Sequence, residues 1–113
     1  MNNYQVDRDQ WAQLSIFEQM GNIGSEVGRA ISAQRRGKTD RVNGAIDRAL
    51  DLFDATTEVL VKEKSPRTRE VLRARDEFLR LFYDGTFESD ASGIEKYFTQ
   101  YAVAARNQRA SQP

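Results

Sequence analysis

The chain contains neither cysteine nor histidine among its 113 residues. Without cysteine it forms no disulfide bond, so its fold cannot depend on an oxidising compartment. Together the two absences exclude cysteine and histidine nucleophiles, histidine general bases, zinc sites of the usual ligand types and iron–sulfur clusters. The sequence therefore favours a protein that is not an enzyme and that carries no cofactor.

Net charge and long apolar runs are missing as well. Seventeen Lys and Arg residues balance seventeen Asp and Glu residues, so the molecule has no net field that would attract nucleic acid or an anionic membrane from a distance. No run of about eighteen apolar residues occurs, and the first residues lack the pattern of a signal peptide. These features predict a cytoplasmic protein that does not associate with membranes.

Apolar residues recur three and four positions apart in windows that only Pro66 interrupts, and this spacing is typical of amphipathic helices. The pattern predicts helices at about 10–36, 40–63, 66–84 and 90–106, with a frayed tail at 107–113. Short connections between helices of similar length favour antiparallel neighbours. We therefore predict one all-α domain over residues 1–113, an antiparallel up-down four-helix bundle. A three-helix core with the last helix docked on a partner is the alternative.

Polar residues and glycines mark the expected helix ends. Asp7 and Thr39 are expected to cap the first two helices, and Gly37 follows the end of the first. Pro66 is expected in the first turn of the third helix, where its missing N–H costs nothing. Ser92 and Glu95 have the spacing of a capping box at the start of the last helix.

Gly21, Gly24 and Gly28 lie three and four residues apart along one edge of the first predicted helix. Each costs about 0.5–1 kcal/mol relative to alanine, so a compensating role is expected. The simpler interpretation is close approach of a second helix, within the subunit or across an interface. The other is a ligand that approaches the bare backbone.

Arg75 falls near the centre of the apolar face of the third predicted helix. A buried charge without a partner is very costly, so Arg75 is expected to pair with a carboxylate. Glu26, which flanks the apolar face of the first helix, is the candidate. The sequence thus predicts a buried ion pair between Glu26 and Arg75.

Two charged stripes of opposite sign lie opposite the apolar faces of the second and third predicted helices. The acidic stripe contains Asp47, Asp51, Asp54 and Glu58, and the basic stripe contains Arg69, Arg73 and Arg80. Such stripes are usually solvated faces. The sharper interpretation is that they meet between subunits and so relieve the repulsion within each stripe.

The acidic stripe also allows an enzymatic interpretation. Mg²⁺ takes hard oxygen ligands, and some all-α nucleotide hydrolases hold it with carboxylates from facing helices. Here the four carboxylates belong to one helix, whereas a site of this kind needs at least two. A Mg²⁺-dependent nucleotide or phosphate hydrolase is therefore the second hypothesis.

A basic cluster surrounds the connection between the first two predicted helices. It consists of Arg35, Arg36, Lys38 and Arg41. Solvation explains most clusters of this size, but a local cluster is also sufficient for phosphate contacts that do not read base sequence. A nucleic-acid-binding accessory protein is therefore the third hypothesis.

The segment Asn22-Ile23-Gly24-Ser25-Glu26-Val27-Gly28-Arg29, with Ser15-Ile16 before it, resembles the first-helix signature of a group of small four-helix-bundle proteins. The group includes the 23S rRNA intervening-sequence proteins and the accessory proteins of diversity-generating retroelements. Asn22, Ile23 and Glu26 carry the match. The resemblance implies a ring-forming homo-oligomer without catalytic activity. In the retroelement branch it also implies binding to a reverse transcriptase and to nucleic acid through a basic surface.

The leading hypothesis is a self-associating helical-bundle protein that acts as a non-enzymatic interaction or scaffold module. It depends on the glycine edge, on the two charged stripes and on the missing catalytic residue types. A protein partner besides a second copy of the chain fits this hypothesis.

Overall fold

The computed structural model describes residues 5–111, which form five α-helices and no β-strand. The helices are α1 (Arg8–Ala12), α2 (Ile16–Arg35), α3 (Thr39–Lys62), α4 (Thr68–Tyr83) and α5 (Phe87–Ala110). The predicted all-α class is confirmed. The predicted number of helices is wrong, because the described residues form five helices and not the four that the apolar spacing indicated.

One hydrophobic core contains residues from all five helices. α2 packs on α3 and α5, α4 packs on the same two helices, and α1 packs on α3. At the centre, the ring of Phe53 lies 6.2 Å from that of Phe78 and 6.1 Å from that of Phe98. These rings are buried, and each stabilises the fold by roughly 1.5–3 kcal/mol. The three rings join α3, α4 and α5.

The first predicted helix, 10–36, is wrong because the chain breaks between α1 and α2. Ser15 caps α2, and its side chain and that of Glu18 form a capping box. Asp7 caps α1 as predicted, by accepting the N–H groups of Asp9 and Gln10. At the break, the buried Gln19 side chain donates to the carbonyls of Trp11 and Leu14, each at 3.1 Å. The Gln19 amide thus stabilises the turn.

Gly37 ends α2 as predicted. It has a φ of 68°, and Lys38 N–H donates to the Ala33 carbonyl at 2.9 Å, while Gly37 N–H donates to Gln34. This pair of bonds is a Schellman motif, which needs a left-handed residue at the position of Gly37. Thr39 is not the cap of α3 but its first residue, and Lys38 before it makes no side-chain capping bond.

The ends of the last two helices also differ from prediction. α4 begins at Thr68, so Pro66 lies in the preceding turn. α5 begins at Phe87, which places Ser92 inside the helix and removes the expected capping box with Glu95. The helix continues to Ala110, so the part of the expected frayed tail before that residue is helical. Residues 112 and 113 of that tail lie outside the described residues.

Candidate functional site

Three of the four basic residues predicted to contact phosphate line one groove between α2 and α3. Arg36, Lys38 and Arg41 are joined there by Arg29 and Arg48. The groove is open to solvent and has a volume of about 760 Å³. Its lining includes a single carboxylate, that of Asp40. Two of these cations, Arg29 and Arg48, also pair with the buried Glu26, so five cationic side chains against two carboxylates leave an excess of three positive charges at this surface of a chain with no net charge.

Arg35 belongs to a different contact. Its Nη1 lies 2.9 Å from a carboxylate oxygen of Glu95, and its guanidinium carbon lies 5.9 Å from the ring centre of Phe87. Both partners are on α5. Arg35 therefore connects the end of α2 to α5 and is not part of the basic groove.

Helical spacing brings the groove residues together, and the sequence contains that signal. Arg29 and Arg36 are seven residues apart on the α2 side, as are Arg41 and Arg48 on α3. Residues three, four and seven apart share one face of a helix. The predicted basic cluster contained only the four residues near the connection, so Arg29 and Arg48 were not predicted to belong to the groove.

Small residues form the floor of the groove. They are Ser25, Gly28, Ser32 and Ala33 on α2 and Gly44 on α3. A Cβ atom added at Gly28 would meet nothing within 4 Å, whereas one at Gly44 would lie 3.2 Å from Nη1 of Arg48. The short side chains leave the helix backbones accessible between the long cationic ones.

Glu26 holds two of the groove arginines. It is buried on α2, and its two carboxylate oxygens accept from different residues. Oε1 accepts from Nη1 of Arg29, and Oε2 accepts from Nε of Arg48 at 2.7 Å. The side chains of Arg29 and Arg48 remain 62% and 36% exposed, so a ligand can reach both.

The predicted ion pair between Glu26 and Arg75 is wrong. The buried Glu26 pairs with Arg48 of α3 and Arg29 of α2. The side chain of Arg75 is 32% exposed, and its Nη1 lies 3.9 Å from its neighbour Asp76. Because Arg75 reaches water at the edge of α4, it needs no buried partner.

No family model, no curated protein and no solved structure matches the chain. The function of the basic groove therefore has to be inferred from the chemistry of its own side chains.

Two of the three predicted interface glycines face α5 of the same chain, and packing requires glycine at one of them. A Cβ at Gly24 would lie 2.8 Å from Cβ of Phe98, so the approach of α5 leaves no room for it. A Cβ at Gly21 would lie 3.5 Å from Cα of Ala102, which is an ordinary van der Waals contact. Gly28 has no such neighbour, and it lies in the basic groove. Packing therefore does not account for Gly28.

The acidic stripe of α3 is partly covered by α1 of the same chain. Asp51 accepts the N–H of Val6 at 2.7 Å and lies 3.0 Å from Arg8, which also lies 3.3 Å from Glu58. Nearby, the buried Trp11 donates from Nε1 to Thr56 at 2.9 Å. Of the four predicted interface acids, Asp51 and Glu58 thus have partners in α1, whereas Asp47 and Asp54 are exposed.

The three arginines of the basic stripe are exposed on α4. Nε of Arg80 lies 3.8 Å from Asp84 one turn later, and Arg73 borders a groove between α4 and α5. Arg69 is exposed near the start of the helix. These side chains are available to a partner, although no contact within the chain identifies one.

A hydrogen-bonded cluster connects α4 to α5. Oε1 of Glu70 accepts from the hydroxyls of Tyr101 at 2.6 Å and Tyr97 at 2.7 Å. The bond from Tyr101, followed by that from Tyr97, lowers the pKa of Glu70. Burial, followed by hydrogen bonding, raises the pKa of both tyrosines. The cluster therefore combines an ionised carboxylate with two protonated hydroxyls at neutral pH.

Two further findings bear on the alternatives. Across residues 5–111, no helix is long and apolar enough to cross a membrane. Over the same residues, no group of three or more His, Cys, Asp or Glu side chains is placed to hold a metal ion. The carboxylates on which the Mg²⁺ hypothesis depends therefore do not converge.

Proposed function

We propose that the protein is a binding module that holds the phosphate groups of a nucleic-acid strand in the basic groove. The observation that carries this proposal is the excess of positive charge at the groove, where five cationic side chains meet two carboxylates, Asp40 in the lining and the buried Glu26. Lys and Arg contacts to phosphate supply most of the sequence-independent affinity of proteins for nucleic acids.

The shape of the groove supports the same ligand. Four of its five cations are arginines, whose planar guanidinium groups match the oxygens of phosphate. The floor of glycine, serine and alanine allows a phosphate backbone to approach the helices closely. The lining includes no aromatic side chain on which a base would stack. We therefore expect binding without strong sequence preference.

The overall charge balance limits the strength of this binding. Because the chain carries no net charge, only the local field of the groove attracts the ligand. Affinity should therefore be modest and should fall steeply as salt is raised, since bound phosphates release counterions.

A test uses fluorescence anisotropy with a labelled oligo(dT) strand at several salt concentrations. Arg36→Gln combined with Arg41→Gln should weaken binding roughly tenfold and reduce the salt slope by about one unit per lost phosphate contact. The matched control is Arg106→Gln with Lys96→Gln, which removes the same charge from exposed sites on α5 outside the groove. Absence of binding by the unaltered chain at low salt, or equal losses in the two variants, would contradict the proposal.

We infer further that the four long helices form an antiparallel bundle. Arg109 near the end of α5 lies 3.7 Å from Glu18 near the start of α2, and Arg35 at the end of α2 lies 2.9 Å from Glu95 in the first half of α5. These ion pairs support opposite directions for α2 and α5. The short connections before and after α4 support the same arrangement for the other neighbours.

Self-association is the second candidate function. It is favoured by the exposure of Asp47 and Asp54 on α3 and of Arg69 and Arg73 on α4, which leaves complementary charges on two sides of the chain. The resemblance of the Asn22–Arg29 segment to ring-forming bundle proteins agrees with this candidate. The glycine edge no longer supports it, because Gly21 and Gly24 pack inside the chain.

A further inference from the structure

We propose that Glu26 is a positioning residue, which holds Arg29 and Arg48 as a two-armed clamp around one phosphate group in the basic groove. The inference rests on the proposed function and goes beyond it, because it assigns a role in anion binding to a carboxylate. It also names the two side chains that contact the phosphate directly.

Glu26 uses only one N–H-bearing nitrogen of each guanidinium group, so the other nitrogens of Arg29 and Arg48 can donate to a ligand. Arg48 uses Nε, so both of its Nη groups remain available, and Arg29 uses Nη1, so Nη2 and Nε remain. A guanidinium group has five N–H donors in a fixed plane, and two of them bind a phosphate side by side. One carboxylate thus brings two such donor sets together.

Gly44 makes room for one arm of the clamp. A Cβ at this position would lie 3.2 Å from Nη1 of Arg48, which is closer than an ordinary van der Waals contact. Nη1 therefore lies close to the backbone of α3, and a Cβ atom at this position would displace it by a few tenths of an ångström. The glycine and the carboxylate together determine where the Arg48 guanidinium sits.

The clamp affects affinity through the entropy of the arginines. A free arginine loses side-chain entropy when a ligand immobilises it, whereas Glu26 orders two arginines before the ligand arrives. Coulomb interaction alone predicts that Glu26 lowers the affinity for phosphate, because a negative charge beside the groove repels an anion. Removal of the Glu26 charge therefore distinguishes positioning from net charge.

The test compares Glu26→Gln with the unaltered chain, using labelled oligo(dT) with and without a 5′-phosphate and, as competitor, inorganic phosphate. If Glu26 positions the two arginines, Glu26→Gln should bind oligo(dT) roughly fivefold more weakly or worse, although this variant carries one more positive charge. Preference for the 5′-phosphorylated strand, lost in the variant, would assign the clamp to a terminal phosphate. Equal weakening for both strands would assign it to the phosphodiester backbone.

A second variant keeps the experiment decisive if Glu26→Gln fails to fold, which circular dichroism and thermal unfolding would reveal. Arg48→Lys retains the positive charge but removes the planar guanidinium group. The clamp therefore predicts weaker binding by this variant, whereas attraction by net charge alone predicts no change. Arg106→Lys is the matched control on α5, at an exposed position outside the groove, and should bind like the unaltered chain.

The outcomes separate the two proposals. If the unaltered chain binds and folded Glu26→Gln binds equally well or more tightly, the clamp is wrong and the basic groove keeps its proposed function. If the unaltered chain binds no strand and no phosphate at low salt, both proposals are overturned. Weaker binding by folded Glu26→Gln and by Arg48→Lys, with an unchanged Arg106→Lys control, supports the clamp.

Discussion

Glycines in the middle of α2 and α5 have different neighbours, so alanine at each position should have different effects. Gly28→Ala adds a methyl group in open space and should stabilise the fold by about 0.5–1 kcal/mol. It also narrows the basic groove and should weaken oligonucleotide binding. Gly93→Ala, equally open and outside that groove, should give the same stabilisation without loss of binding.

Gly24→Ala completes this comparison, because its Cβ would lie 2.8 Å from Cβ of Phe98, an atom fixed to the α5 backbone. It should destabilise the fold by roughly 1–3 kcal/mol. Urea denaturation would measure the three stabilities and fluorescence anisotropy the binding. If Gly28→Ala binds the oligonucleotide as well as Gly93→Ala does, the backbone at Gly28 is not part of the ligand site.

Glu26 shows what a single residue's sequence context can and cannot predict. Glu26 was chosen as the partner of Arg75 because it lies beside the apolar face of its helix, and it does form ion pairs, but with Arg48 and Arg29. The correct partner could not be predicted without knowing which helices are neighbours. α2 packs on α3 and α5, so Arg48 of α3 can reach Glu26. Apolar spacing identifies a face of a helix but does not say which helix that face meets.

At the scale of elements, the helices were predicted well where turn chemistry and apolar spacing agree. Turn chemistry and apolar spacing both place the end of α2 at Gly37. The break at Ser15 was missed because apolar spacing continues through it, from Leu14 to Phe17, although Ser15 and Glu18 have the sequence signature of a capping box. The basic groove could be predicted only in part. The spacing of its arginines can be read from the sequence, but the packing of α2 against α3, which brings them together, cannot.

The contact between α4 and α5 should depend on pH through its tyrosines. Burial raises the pKa of Tyr97 and of Tyr101 above their ordinary value of 10.0. As the pH rises, the unfolded chain loses these protons first. The stabilisation is therefore fully present below pH 10 and is lost as the pH rises towards the folded-state pKa values. Glu70, whose pKa is lowered, adds stability that is lost only in acid.

Urea denaturation across this pH range would test the contact. Tyr97→Phe with Tyr101→Phe should lower the unfolding free energy at neutral pH by about 1 kcal/mol for each lost hydroxyl, or less because both are partly exposed. The same variant should lose less stability above pH 10 than the unaltered chain does. Tyr83→Phe, at an exposed position, should behave like the unaltered chain. Equal alkaline destabilisation in all three proteins would count against the cluster.

At the scale of the whole molecule, the charges are unevenly distributed although the net charge is zero. Cations collect in the groove between α2 and α3, the exposed acids Asp47 and Asp54 lie on α3, and the exposed arginines of α4 alternate with Glu70, Asp76 and Glu77 of the same helix. Two different complementary surfaces on one chain associate head to tail, and such contacts close into rings when the rotation between copies allows it. Salt should weaken this association because exposed charges are screened.

Size exclusion with light scattering at low and high salt would measure the association. We expect an oligomer at low salt that dissociates as salt is raised. Asp47→Lys with Asp54→Lys should weaken assembly about tenfold, a loss of about 1.4 kcal/mol from several exposed ion pairs. Glu88→Lys with Asp90→Lys, which reverses the same charge at the start of α5, should leave the assembly mass unchanged.

A charge exchange between subunits decides whether the α3 acids and the α4 arginines meet. Asp47→Lys with Asp54→Lys in one protein should restore association with a second protein that carries Arg69→Glu and Arg73→Glu, although each variant assembles only weakly alone. This result requires the two stripes to be in contact, because reversal of both partners recovers the attraction only between groups that face each other. A monomer at low salt, or a mixture that stays monomeric while both variants remain folded, would eliminate stripe-to-stripe assembly. The basic groove would then remain as the binding surface of a single chain.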